Sequence, residues 1–147
     1  LIYLNKYNIN ILNYMSISID ISNAGQCHMM AIEKYKTYNE GTVLVASIQL
    51  MDKENNQLTL KNRSDITDAT HTILLHIPDN NTDTWIVIDP TYTSGALCNF
   101  KNYIKSLEKV YESGTDWVRI SWMKTAYINK WIPKSGERQL DWNHFSN

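Results

Sequence analysis

Cysteine is scarce in this 147-residue chain, which holds only Cys27 and Cys98. That is too few for a disulfide framework, and together with His28, His71, His76 and His144 they match no structural zinc spacing. A domain of this size buries about two-thirds of its unfolded surface and can hold a core without staples. We therefore expect free thiols, no metal and no cofactor. An excess of one charge is also lacking: 14 Lys and Arg oppose 15 Asp and Glu, giving a formal net charge of −1 and a pI near 6.5. So small a net field excludes charge-driven attraction to nucleic acid or an anionic membrane, leaving only local patches for such a role. No stretch approaches the roughly 18 consecutive apolar residues of a membrane span, and the N-terminus lacks the basic-then-apolar layout of a signal peptide. The chain reads as soluble. Repeats, low-complexity tracts and evident linkers are missing too, so residues 1–147 read as one domain. Its first residue is Leu1 rather than Met, as expected of the C-terminal part or a fragment of a longer protein.

The patterning that is present predicts an α+β domain. Residues 1–21 suit either a helix or a strand. The turn-forming stretch Ser22-Asn23-Ala24-Gly25-Gln26 precedes a helical pattern in which Cys27, Met30, Ala31, Tyr35 and Tyr38 share a face, with Gly41 as its C-terminal stop. A β-branched, apolar run over 42–50 predicts a strand, and after the polar turn 52–56 the run Gln57-Leu58-Thr59-Leu60 predicts a shorter one. The apolar runs 70–77 and 85–89, separated by turn residues 78–84 and stopped by Pro90, predict an antiparallel hairpin. Phe100, Tyr103, Ile104, Leu107, Val110 and Tyr111 form one stripe of an amphipathic helix ended by Gly114. Residues 118–122 predict another strand, and the polar C-terminus from Pro133 carries Trp142 and Phe145 as docking residues. This order fits helices on an antiparallel sheet.

Within this frame, Cys27, His71 and Asp89 form a candidate nucleophile, base and orienting acid. A thiol attacks a carbonyl as thiolate, and a helix N-terminus favours the anion by about 0.3–1 kcal/mol, or about 2 when partly buried. That is insufficient alone, so an imidazole must supply the rest. His71 opens one predicted strand and Asp89 ends the next, so a hairpin brings the carboxylate near the imidazole, where it can fix the tautomer and stabilise the cation. The N–H groups at the helix start, including that of Cys27, are candidate oxyanion donors, with the Gln26 side chain as another.

Gly25-Gln26-Cys27 opening a helix, the strand Ala69-Thr70-His71-Thr72-Ile73-Leu74-Leu75, and Trp85-Ile86-Val87-Ile88-Asp89-Pro90-Thr91-Tyr92 resemble the three motifs of the papain-like and transglutaminase-like thiol enzyme superfamily. The resemblance covers about half of the chain. It implies a papain-like core in which an N-terminal helix bearing the nucleophile packs on an antiparallel β-sheet, with Cys27, His71 and Asp89 as nucleophile, base and acid. The small size and the absence of an accessory domain resemble the bacterial effector or toxin branch, which implies a secreted protein-glutamine deamidase acting on a target protein in the cytoplasm of the cell it enters. For a toxin, a cognate immunity protein covering the Cys27 cleft is implied as well. The chain departs from larger transglutaminases, which add calcium-binding and β-sandwich domains, and from papain, whose Cys and His lie much farther apart in sequence. A cysteine protease, a transglutaminase, a peptidoglycan amidase and a partner-binding module with a vestigial triad remain the alternatives.

Other residues have plainer readings. His28, about 100° around the helix from Cys27, is expected to be exposed. His76 faces away from His71 on a regular strand, and Cys98 reads as core. The tryptophans are chiefly core material, with Trp85 and Tyr92 as candidate walls of a substrate groove.

Overall fold

The computed structural model describes residues 17–38, 43–63, 65–66, 70–92, 97–123 and 135–142. Helix α1 (Cys27–Tyr35) is followed by β1 (Val43–Met51), β2 (His71–His76), β3 (Ile86–Ile88), β4 (Leu97–Asn99), helix α2 (Phe100–Val110), β5 (Trp117–Met123) and β6 (Ser135–Asp141). The strands form one six-stranded sheet in the order β4-β3-β2-β1-β5-β6. Every neighbouring pair is antiparallel.

The pleat sorts the apolar residues into two cores, because neighbours along a strand point to opposite faces. On one face Val43, Leu74 and Ile88 meet Ala31 of α1 and the following Tyr38. On the other, Leu44, Ile48, Ile73, Leu75 and Val87 meet Phe100, Tyr103, Ile104 and Leu107 of α2. Both faces of the central strands are therefore covered, which is why β2 is buried at all its positions, including His71 and His76. The α+β class, the antiparallel sheet, the Cys27 helix against it and the β2–β3 hairpin all match the sequence reading.

Four elements differ from expectation. Gln57 and Leu60 make only isolated bridges, to Met51 and Tyr111 respectively, because they face different partners and build no continuous ladder. Strand β4 is too short at three residues to display a period of two. The polar β6 is a strand by virtue of its pairing with β5 along the sheet edge, from Trp117↔Asp141 to Met123↔Ser135. Helix α2 stops at Val110, with Tyr111 already extended, so Gly114 lies in the connection to β5 at φ 111°. Trp142 packs against the core. Gly41, Phe145 and residues 1–16 lie outside the described residues. Among those described, no helix is long and apolar enough to cross a membrane.

Candidate active site

The chain reaches Cys27 through a tight turn. The Ala24 and Gln26 N–H groups donate to the Ile21 and Asn23 carbonyls at 3.0 and 3.2 Å, and Gly25 takes φ 94°, a region that residues with a Cβ rarely enter. Gln26 is the N-cap of α1 and contributes no side-chain cap. Cys27 is thus the first helical residue, with its N–H among the donors an α-helix start leaves outside its own ladder.

His71 opens β2 opposite Ile48 of β1, and Asp89 directly follows β3. The β2–β3 register pairs Leu74 with Ile88, so its continuation sets Asp89 beside Ile73, on the same face as His71 and diagonal to it. That diagonal is bridged: Asp89 Oδ2 lies 2.8 Å from His71 Nε2. The same oxygen accepts the Tyr103 hydroxyl at 2.6 Å, and Oδ1 accepts the Thr91 and Tyr92 N–H groups at 2.9 and 3.1 Å. These donors offset the cost of enclosing a carboxylate that has 0 % exposure. Burial pushes the Asp89 carboxyl up, but His71, Tyr103 and the backbone outweigh it and leave the acid below its ordinary range.

The turn after Asp89 brings the Tyr92 ring onto the imidazole, stacked at 4.0 Å and 6°. With its plane held and Nε2 on the carboxylate, His71 leaves Nδ1 as the nitrogen for the thiol. Nδ1 is buried and makes no hydrogen bond among the described residues. Burial disfavours the imidazolium, yet the Asp89 hydrogen bond and charge, followed by the nearby Cys27, raise the His71 pKa to about 9. Reciprocally, burial works to raise the half-buried Cys27 thiol, but the neighbouring His71 imidazole and the Thr72 backbone outweigh it and bring the thiol below its usual value. The two shifts run in the direction of a thiolate and an imidazolium, the latter anchored on a buried carboxylate.

Cys27, His71, Asp89 and Tyr92 are therefore together, with Gln26 next to the thiol in sequence and exposed at the helix start. Trp85 is not part of the site. It has 0 % exposure, packs edge-on to Phe100 and Trp122, donates from Nε1 to the Asp79 carbonyl at 2.9 Å and lies under the Arg138 guanidinium. A wide apolar ring at the turn that leads into β3 is drawn into the core, so it cannot also wall a groove. His28 is exposed, and His76 is buried on the face opposite His71, with burial lowering its pKa to about 4. Cys98 is buried, donates to the Asn99 carbonyl at 3.3 Å and has its pKa pushed by burial to about 12, an inert thiol. Neither cysteine is in a disulfide.

Sequence reasoning missed Tyr103 and Tyr111. Tyr103 stood on the apolar stripe of α2, and the one available signal was its hydroxyl, because a buried phenol needs a partner. Tyr111 lines the cavity at Cys27 with Tyr92. Comparison of the chain with protein-family models, curated proteins and solved structures finds no match.

Proposed function

We propose that the chain is a thiol hydrolase with a papain-like, transglutaminase-like core and deamidates glutamine side chains of a target protein. The observation that carries this reading is the Asp89–His71 contact at 2.8 Å beside a thiol whose pKa His71 lowers. The Cys27 thiolate attacks the carboxamide carbon, and the carbonyl electrons move to oxygen, opposite the N–H groups at the start of α1. As the adduct collapses, the His71 imidazolium gives its proton to the departing nitrogen, releasing ammonia and leaving a thioester. Neutral His71 then takes a proton from water. The hydroxide adds to the thioester, collapse expels the Cys27 thiolate, and glutamate is the product. Asp89 holds the imidazole through both halves and stabilises its cation.

A bacterial effector or toxin domain, secreted and acting in the cytoplasm of the cell it enters, with an immunity protein over the Cys27 cleft, is the setting that goes with this reading. The test is quantitative proteomics of bacterial and eukaryotic lysates treated with the wild-type chain or Cys27→Ala. Glutamine-to-glutamate conversion that requires Cys27 supports the reading. Isopeptide crosslinks would make it a transglutaminase, new peptide termini a protease, and muropeptide products from isolated cell walls a peptidoglycan amidase. No covalent change with any of these would leave a partner-binding module.

A further inference from the structure

A single carboxylate oxygen serves two donors. Asp89 Oδ2 lies 2.8 Å from His71 Nε2 and accepts the Tyr103 hydroxyl at 2.6 Å, both distances in the range of bonds to an ionised acceptor. The donors come from different elements: His71 opens β2, and Tyr103 is the fourth residue of α2. The start of that helix is fixed, because the Asn99 side chain accepts the Asn102 N–H at 3.2 Å and the Phe100 N–H donates to the Trp85 carbonyl at 3.0 Å. Tyr103, Asp89 and His71 are each at most 1 % exposed, so bulk water does not stand in for either donor. The other titratable groups that face them are Cys27 from α1, Tyr92 after β3, Cys98 from β4 and Tyr111 after α2. Burial and the Asp89 charge hold the Tyr103 phenol protonated, so it meets Asp89 as a donor. Donors on one oxygen compete for its electron density. What the phenol draws is withdrawn from the imidazole.

We propose that Tyr103 is a positioning residue that shares the Asp89 carboxylate with His71 and thereby limits how strongly Asp89 stabilises the imidazolium. The inference rests on His71 being the acid and base for Cys27. In the first half of the reaction the imidazolium gives a proton to the departing nitrogen, and in the second the neutral ring takes one from water. Both steps are served by an imidazole that can change charge near ambient pH. Asp89 and Cys27 already carry His71 to about 9, so any further hold on the cation slows both. Tyr103 opposes that hold from the far side of the carboxylate, without touching the imidazole or the thiol as a reacting group.

The test reads the His71 ring by NMR in the intact chain, through its titration and its Nε2–H proton. Three chains are compared: wild type, Tyr103→Phe, and one with 3-fluorotyrosine at position 103, whose more acidic phenol is a stronger donor. The expected order is graded. Fluorotyrosine should move the His71 titration below wild type and the Nε2–H signal upfield, while Tyr103→Phe should move the titration above wild type and the signal downfield. Turnover of p-nitrophenyl acetate gives the kinetic counterpart. Release of acetate from Cys27, per folded molecule at neutral pH, should fall by about 2- to 10-fold in Tyr103→Phe, a fraction of the worth of a bond to a charged group. A tyrosine with only a structural role would lower stability and leave the titration and the Nε2–H signal where they are, which would overturn the proposal. A His71 titration that falls toward 6.5 in Tyr103→Phe would overturn it too, because the phenol would then support the cation. The fluorotyrosine chain keeps the ring and its donor, so it gives the answer if Tyr103→Phe does not fold. Since the titration is read on the chain itself, a graded order with no deamidated protein in lysates would count against the deamidase alone. Deamidation with no graded order would count against the role of Tyr103 alone.

Discussion

Among the described residues, Asp89 is a carboxylate with 0 % exposure. A carboxylate with no solvent is tolerable only if its oxygens are fully engaged, and here imidazole, phenol and backbone N–H groups converge on it. Tyr103→Phe removes one charge-assisted bond without changing the ring, so it should cost about 1.5–3 kcal/mol in urea denaturation. Asp89→Asn keeps the shape and loses the charge. The His71 pKa should then fall from about 9 toward its ordinary 6.5, read by NMR titration of the imidazole. On the proposed function, Cys27→Ala should abolish turnover and preserve the fold, whereas Cys98→Ser should leave most activity, because that thiol is buried and held protonated. Activity lost with Cys98 and kept without Cys27 would overturn the assignment.

At the scale of elements, the site is a product of hairpin register and one turn. A one-residue slip of β3 against β2 would move Asp89 to the opposite face from His71. The hairpin was legible because the β2 and β3 sequences are apolar runs separated by obvious turn residues and stopped by Pro90, whereas its register comes from the fold. Strands β4 and β6 were not, one being too short for periodicity and the other polar. Trp85 was misassigned for a related reason: position in the sequence shows that a ring begins a strand, but not whether its face meets solvent or α2. The edge strand also carries a constraint of its own. Gly136 pairs with Trp122, and a Cβ there would sit 2.3 Å from the indole, so Gly136→Ala should destabilise the protein by about 1–3 kcal/mol through overpacking. A melting temperature equal to wild type would show that this ring is free to move.

For the whole molecule, His71 and His76, the two histidines buried among the described residues, lie on opposite faces of the sheet and pull stability in different pH windows. His76 has a folded pKa near 4, below the ordinary 6.5, so its contribution is present above pH 6.5 and is lost as pH falls from 6.5 toward 4. The depressed Asp89 adds a second loss at lower pH, below its ordinary 3.8. His71 has the opposite sign: its contribution is complete below 6.5 and is lost as pH rises through about 9. Over that upper window the lowered Cys27 thiol acts against His71, because the folded state exchanges a thiol proton for an imidazole proton. Chemical denaturation should therefore show stability falling on the acid side of pH 6.5, and NMR titration should place His76 near 4. A His76 resonance titrating near 6.5 would contradict the account of that face. The positions of Cys27, His71 and Asp89 were readable in one dimension, since a helix start and two strand ends fix where these residues go. The tyrosines that support them were not, because phenols on apolar stripes look like core until the fold shows which charge they meet.

The central claim is that His71 sets the reactivity of Cys27, and the pH profile of Cys27 alkylation by iodoacetamide in the wild type and in His71→Ala tests it most directly. The account expects a wild-type rate that persists well below pH 9.0, the ordinary value for the thiol, and a His71→Ala profile moved upward with a slower rate near neutral pH. Superimposable profiles would contradict it.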